Sequence, residues 1–213
     1  MLSQTGFTLS DPAAGLQVLR EQLLDLLCEF AYREGDFVLS SGQRSSYYIN
    51  CKPVTLHPQG ALTVGRLLLS ALPADTEAVA GLTLGADPIV TAVSVVSAYE
   101  NCPIPALIVR KEAKGHGTMA YLEGPQLPAG AKVVVLEDVV TTGASAMKAV
   151  ERLQGAGYTV ERVIAIVDRQ QGGAELYRSA GLEFEALFAI ADLQQWRRNK
   201  QSGSPSEAIE ESR

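Results

Sequence analysis

The sequence predicts an α/β fold in which helices flank a parallel sheet, with a small addition at the N-terminus. Short runs of Val, Ile and Leu alternate with segments of helical periodicity, which is typical of strands buried on both faces of a parallel sheet. The length of 213 residues and the hydrophobic content of 46% suit one domain with a large core. We expect this domain to span residues 1–200, with an N-terminal helix and addition over about 10–56, a core over about 57–200 and a flexible tail over 201–213.

The N-terminal part contains two helix signals on either side of a hairpin signal. Apolar residues recur three or four positions apart over 16–31, and a Ser-Asp-Pro sequence at 10–12 suits the start of that helix. Residues 37–54 hold two β-prone pieces separated by Gly42 and paired serines, which predicts a hairpin-like excursion. A second helix is predicted over 58–72.

The rest of the chain alternates strand signals with helix signals, as a parallel sheet requires. Strands are predicted at 77–81, 105–110, 132–136, 160–167 and 183–188. Helices are predicted at 88–99, through Met147, Val150 and Leu153, and at 175–180 and 190–198.

The charge and hydropathy of the chain argue against several functions. A net charge of −6 and a pI near 5.0 disfavour a general nucleic-acid binder, whose affinity would come from a basic surface. No apolar stretch approaches the roughly 20 residues of a membrane helix, and residues 1–15 lack the regions of a secretory signal. Cys28, Cys51 and Cys102 have no zinc-site spacing and indicate reduced thiols in a cytoplasmic protein. We therefore expect neither a nucleic-acid nor a membrane partner.

The segment 133–145, VVVLEDVVTTGAS, joins a buried strand to a helix through an acidic pair and a hydroxyl-rich turn. Ligands of parallel α/β sheets bind beyond the carboxyl ends of the strands, where such turns lie. Backbone N–H groups and hydroxyls of residues 141–145 can hold a phosphate, and Gly143 lets the backbone approach it closely. Glu137 and Asp138 can accept hydrogen bonds from vicinal hydroxyls. The combination predicts a ribose 5-phosphate as ligand.

This segment resembles the phosphoribosyl-diphosphate motif of type I phosphoribosyltransferases. The resemblance implies the parallel sheet of that fold, with Glu137 and Asp138 on the ribose hydroxyls, Asp138 as a catalytic residue, and the turn on the 5-phosphate. The residues that it places on phosphoribosyl diphosphate are Glu137, Asp138, Val139, Val140, Thr141, Thr142, Gly143, Ala144 and Ser145.

The segment 110–117, RKEAKGHG, concentrates three cations, a histidine and two glycines directly after a predicted strand. The cations suit a diphosphate, and the glycines would let the loop move over the ligand and exclude water. The segment resembles the catalytic loop of orotate phosphoribosyltransferases. That resemblance implies that Lys114 is catalytic and that the diphosphate is bound by Arg110, Lys111, Lys114 and His116, some of them in the active site of a dimer partner.

Two further segments resemble the same family. The turn 168–173, DRQQGG, offers the fork of Arg169 to a planar carboxylate. The resemblance implies that Arg169 contacts orotate together with Thr141. Residues 37–50 are similar to the family's N-terminal hood, which covers the base.

At two positions this chain lacks a cation that other family members carry. Ser40 stands where many members have a lysine, and Leu84 and Gly85 stand in place of a Tyr-Lys pair. Lys52 is a candidate replacement for these cations.

The motifs together predict an orotate phosphoribosyltransferase that uses Mg²⁺, held through the substrate. The resemblance to the family also implies a homodimer with shared active sites. Its substrates would be orotate and phosphoribosyl diphosphate. Two alternatives stay open on the sequence alone. One is a phosphoribosyltransferase for a purine or another base. The other is a regulatory protein that keeps the ligand pocket but binds RNA or DNA.

Overall fold

A computed structural model describes residues 15–38, 42, 44–114 and 120–202, which form a central sheet, a separate hairpin and surrounding helices. The strands are β1 (Tyr32–Val38), β2 (Arg44–Ile49), β3 (Ala78–Leu82), β4 (Ala106–Val109), β5 (Leu122–Glu123), β6 (Val133–Val140), β7 (Arg162–Asp168) and β8 (Glu183–Ala189). The helices are α1 (Leu16–Leu26), which continues as a π-helical turn (Leu27–Ala31), α2 (Lys52–Thr55), α3 (Pro58–Ala71), α4 (Asp87–Tyr99), α5 (Ala144–Gly155), α6 (Gly173–Ser179) and α7 (Ile190–Ser202).

The central sheet has the strand order β5-β4-β3-β6-β7-β8. All of its neighbouring strands are parallel except β5, which pairs with β4 in the antiparallel sense. The inner strands β3 and β7 are almost completely buried, which explains their unbroken apolar sequences. The predicted α/β class with a parallel sheet flanked by helices is therefore confirmed.

The core lies in two clusters, one on each face of the sheet. On β6, Val134 and Leu136 pack with residues of α1, α3, α4 and α7. Val133 and Val135 point to the opposite face and pack with residues of α5 and α6. Burial on both faces fixes the register of β6, and with it the position of the residues that follow at its carboxyl end.

The predicted strands of the sheet are present within two residues at each end, with one exception. We predicted that the strand over 132–136 ends before the acidic pair, but β6 continues to Val140, because Val139 and Val140 pair with β7. Glu137 and Asp138 therefore lie within the strand rather than in the loop.

The hairpin is confirmed by the antiparallel pair β1 and β2, but it begins at Tyr32 rather than at residue 37. A register shift between Glu34 and Phe37 interrupts the alternation of its side chains, so the period-two signal was absent there. The short elements α2 and β5 were not predicted. The predicted helix start at 10–12 was wrong, because α1 begins at Leu16 and Gly15 before it has an extended backbone. Of the tail predicted over 201–213, the first two residues belong to α7, and the rest lies outside the described residues. Within the described ranges, no helix is both long and apolar enough to cross a bilayer.

Candidate active site

The acidic pair lies near the carboxyl end of β6, in the middle of the sheet. Glu137 is only 6% exposed, and its Oε2 atom has no hydrogen-bond partner in the described part of the chain. Burial, together with the charge of Asp138, raises the pKa of Glu137 to about 8. Glu137 is therefore largely protonated at neutral pH and presents a carboxylic acid, which can both donate and accept a hydrogen bond.

The hydroxyl-rich turn follows β6 directly and leads into α5. Residues 139–145 line a small cavity of about 90 Å³ together with Glu137 and Tyr177. Gly143 has a φ of 85°, and a Cβ atom at this position would lie 3.0 Å from Cζ of Tyr177. Glycine is therefore required here both by the backbone conformation and by the ring beneath the turn. The cavity adjoins backbone N–H groups at the start of a helix, which is an anion-binding arrangement.

Tyr177 on α6 is a site residue that sequence reasoning missed. Its side chain is fully buried, and its hydroxyl has no partner within the described chain. Burial raises its pKa, with smaller contributions from Glu137 and Asp168, so the phenol stays neutral. No motif in the seven residues of α6 gives a reason, from sequence alone, to assign Tyr177 to the cavity.

Gly85 explains one departure from the family pattern. A Cβ atom at this position would lie 2.7 Å from Oδ1 of Asp138, so no larger side chain fits while that carboxylate keeps its position. A lysine here, which the resemblance led us to expect, would require the Asp138 carboxylate to move. The peptide bond between Thr83 and Leu84, one residue before Gly85, is cis.

Lys52, the candidate for a replacement cation, lies beside the acidic pair. Its Nζ atom is 3.7 Å from Oδ2 of Asp138 and 3.4 Å from Oδ1 of Asn50. It belongs to the unpredicted helix α2, which brings it beside the acidic pair although it is distant in sequence. The other position of interest, Ser40, lies outside the described residues.

Arg169 links the end of β7 to the hairpin. Its backbone N–H donates to the carbonyl oxygen of Val140 at 2.9 Å, which places it beside Thr141 at the edge of the sheet. Its side chain is buried under the hairpin, where Nε donates to the Tyr47 hydroxyl at 3.1 Å and Nη2 donates to Oγ of Ser45 at 3.5 Å. The guanidinium carbon lies 4.7 Å from the centre of the Tyr47 ring. The hairpin partners of Arg169 were not predicted, because no local pattern joins residues so far apart in sequence.

The cations of the predicted catalytic loop are held at its root. Nη1 of Arg110 lies 2.9 Å and Nζ of Lys114 lies 3.7 Å from Oε1 of Glu123 on β5. A hydrogen bond from Arg110 and the charge of Lys114 lower the pKa of Glu123. Lys111 is exposed, and His116 lies outside the described residues. The root of the loop shares the carboxyl edge of the sheet with the turn, because β4, β3 and β6 are parallel, but neither Arg110 nor Lys114 is paired with a residue of the turn.

We expect Glu137→Gln to stabilise the protein at alkaline pH. A folded-state pKa near 8, against 4.5 in the unfolded chain, means that this group favours folding below pH 4.5 and loses that contribution as the pH rises through 8. Glutamine has the same shape and no charge to bury. Since one pKa unit corresponds to about 1.4 kcal/mol, the unfolding free energy of the variant should exceed that of the unaltered protein by at least about 1 kcal/mol at pH 9. Denaturant unfolding at pH 5 and pH 9 measures this difference.

The control for this effect is Glu151→Gln, which removes a carboxylate from an exposed position of α5. Its unfolding free energy should follow that of the unaltered protein at both pH values. A difference between Glu137→Gln and the unaltered protein that is the same at pH 5 and pH 9 would show that Glu137 is not held neutral by its surroundings.

The fold matches solved structures of phosphoribosyltransferases. The orotate phosphoribosyltransferase of Mycobacterium tuberculosis H37Rv in complex with Fe(III) dicitrate has a TM-score of 0.72 and 37% identity, covering 82% of this chain and 98% of that one. The same protein in complex with 5-phospho-α-D-ribosyl 1-diphosphate has a TM-score of 0.70 and 35% identity, covering 83% and 99%. The family model described as uracil phosphoribosyltransferase matches residues 89–184. The sheet, the acidic pair and the hydroxyl-rich turn are the architecture of a type I phosphoribosyltransferase.

Curated relatives identify the family within this class of phosphoribosyltransferases. The orotate phosphoribosyltransferase of Nostoc sp. strain PCC 7120 is 78% identical over 182 residues, which covers 85% of this chain and 88% of the relative. That of Synechocystis sp. strain PCC 6803 is 68% identical over 187 residues, which covers 88% and 94%. The chain belongs to the orotate phosphoribosyltransferase family.

Proposed function

We propose that the chain transfers the 5-phosphoribosyl group of phosphoribosyl diphosphate to orotate, giving orotidine 5′-monophosphate and pyrophosphate in pyrimidine biosynthesis. The observation that carries this proposal is the placement of the acidic pair, the phosphate-sized cavity and the buried Arg169 at one edge of the sheet. We place the reaction in the cytoplasm. The free thiols of Cys28, Cys51 and Cys102 are consistent with that compartment.

The phosphoribosyl end of the substrate is assigned to the turn and the acidic pair. The N–H groups and hydroxyls of residues 141–145 hold the 5-phosphate at the start of α5. The carboxyl groups of Glu137 and Asp138 bind the two ribose hydroxyls. With both ends held, the C1 carbon of the ribose is fixed against the incoming base, which lowers the entropic part of the barrier.

The diphosphate end is assigned to the cations of the loop. When the bond from C1 to the diphosphate oxygen breaks, positive charge develops on the ribose and negative charge on the departing pyrophosphate. We assign Lys114, Arg110, Lys111 and His116 to that negative charge. In the structure, Arg110 and Lys114 pair with Glu123, so these two cations exchange one anionic partner for another when the substrate binds.

Orotate is assigned to Arg169 and Thr141. A guanidinium carries five N–H donors, of which the hairpin residues Tyr47 and Ser45 accept two. The planar fork suits the carboxylate of orotate, which uracil and the purines lack. Since the hairpin holds the same side chain, it also sets the orientation of that fork.

The donor set at the site fits Mg²⁺ held through the substrate. Asp138 supplies a carboxylate beside the ribose position. The neutral carboxyl group of Glu137, whose Oε2 atom is buried with no partner among the described residues, is suited to a ribose hydroxyl rather than to a cation. The described residues contain no group of three or more His, Cys, Asp or Glu side chains that could hold a metal by themselves. When bound, Mg²⁺ neutralises charge on the diphosphate.

A homodimer is supported by an apolar groove that borders the site. The groove has a volume of about 680 Å³ and reaches from Lys52 along α4 to Val96. It contains the large apolar side chains Leu56, Leu84 and Val95, which are 71%, 64% and 52% exposed. Exposed apolar surface on this scale marks an interaction site, and we assign it to a second copy of the chain. A partner on this groove lies next to Gly85 and Asp138, as shared active sites require.

The experiment that tests the function is a base-specificity assay. Purified protein is incubated with phosphoribosyl diphosphate and Mg²⁺ and with orotate, uracil, adenine, hypoxanthine or xanthine in turn, and pyrophosphate release is measured. We expect release with orotate at a rate at least about 100-fold above that with any other base, because only orotate satisfies the buried fork of Arg169. Equal or faster release with uracil or a purine would contradict the proposal.

A further inference from the structure

Arg152 connects the helix of the phosphate-binding turn to the root of the catalytic loop. It lies on α5, the helix that begins directly after Gly143. Its Nη1 donates to the carbonyl oxygen of Arg110, and its Nη2 donates to that of Lys111 at 2.8 Å. Its guanidinium carbon lies 4.1 Å from the centre of the Tyr121 ring. One side chain thus contacts both sides of the loop root.

The contacts of Arg152 belong to a larger arrangement, which we call the loop neck and define as residues 110–114 and 120–123. Two backbone hydrogen bonds close the neck, from Arg110 N–H to the Tyr121 carbonyl and from Lys114 N–H to the Ala120 carbonyl, both at 2.8 Å. Glu123 holds the side chains of Arg110 and Lys114 across it. The neck is therefore a hydrogen-bonded platform that itself carries Arg110, Lys111 and Lys114.

The charge of Arg152 suits the last turn of α5, where the carbonyl end of the helix favours a cation. A lysine would supply that charge equally well, so the charge alone does not account for the contacts of the side chain. The contacts depend on the planar guanidinium group, which donates to two adjacent carbonyl oxygens while its face covers an aromatic ring. A lysine ammonium offers neither the fork nor the flat face, so it cannot make the three contacts together.

We propose that Arg152 is a positioning residue that fixes the loop neck relative to the phosphate-binding turn. This inference rests on the proposed function, in which α5 holds the 5-phosphate and the neck carries the cations for the diphosphate. These two groups are the ends of one substrate, so the distance between turn and neck determines whether both are engaged at once. Small errors in such distances reduce the rate strongly even when the fold is intact.

The test compares Arg152→Leu and Arg152→Lys with Lys148→Gln, which removes a cation from an exposed position of the same helix. Hydrogen exchange of the Arg110 and Lys114 amides measures the neck without reference to activity. Steady-state kinetics with orotate give kcat and KM. Thermal unfolding shows whether the fold is intact.

We expect both Arg152 variants to exchange the two amides faster and to lose about tenfold or more in kcat, with an unchanged KM for orotate. Lys148→Gln should match the unaltered protein in both measurements. Full kcat in Arg152→Lys would overturn the proposal, since the fork would then be dispensable, and so would faster exchange with an unchanged kcat. If the unaltered protein does not use orotate at all, the proposed function fails. The exchange comparison then still decides whether Arg152 holds the neck.

Discussion

Replacing Lys114 with alanine is expected to lower kcat with orotate by about 100- to 1,000-fold while leaving the fold intact. The reason is electrostatic: the ammonium is assigned to the negative charge that develops on the departing pyrophosphate, and losing one such donor typically costs this much. The fold should tolerate the change because the side chain is 72% exposed and its ion pair with Glu123 is at the surface. Turnover at saturating substrate concentrations and the thermal unfolding midpoint measure the two effects.

The matched control for Lys114→Ala is Glu112→Ala, which shortens an exposed side chain in the same loop. This variant should retain turnover within a few-fold, because Glu112 has the wrong charge to bind a diphosphate. Unchanged turnover in Lys114→Ala would remove the loop from the mechanism. A lowered unfolding midpoint in the same variant would show instead that Lys114 supports the fold.

The parts of the site that the sequence predicted are those that one continuous segment encodes. The strand before the acidic pair, the turn after it and the start of α5 lie together within residues 133–145, and local patterns are sufficient to order them. The alternation of Val133, Val134, Val135 and Leu136 between the two core clusters could not be anticipated in detail. It follows nevertheless from the same rule of strand geometry that predicted the sheet.

The contacts that could not be predicted from the sequence join distant segments. Arg169 finds its partners on the hairpin more than a hundred positions away, and Lys52 reaches Asp138 from a helix of four residues. Gly85 is required only because the carboxylate of Asp138 occupies the space of its missing side chain. Such requirements arise when the sheet brings β3, β6 and β7 side by side, and no window of sequence contains both partners.

Asp138→Asn is expected to weaken the binding of phosphoribosyl diphosphate by about 10- to 100-fold, since a hydrogen bond to a charged acceptor is worth about 1.5–3 kcal/mol. The carboxylate is assigned to a ribose hydroxyl, and an amide of the same shape replaces one of its acceptor oxygens by a donor. Isothermal titration of the substrate with Mg²⁺ measures the affinity. The control is Asp75→Asn, because Asp75 pairs with Lys132 at the amino end of the same sheet, away from the turn. Wild-type affinity in Asp138→Asn would contradict the assignment of the acidic pair to the ribose.

A second control mixes the Lys114→Ala and Asp138→Asn variants. It distinguishes loss of activity at the site from loss of the fold. In a symmetric dimer with shared sites, mixing Lys114→Ala with Asp138→Asn leaves about half of the dimers with one unaltered site, so about a quarter of the full activity should return. Recovery can occur only if both variants fold, exchange subunits and contribute the loop and the acidic pair from different chains. No recovery, from variants that are each folded and dimeric and that demonstrably exchange subunits, would place Lys114 and Asp138 in the same chain's site. The loss of affinity in Asp138→Asn would then still stand as a test of the ribose assignment, because titration measures it without turnover.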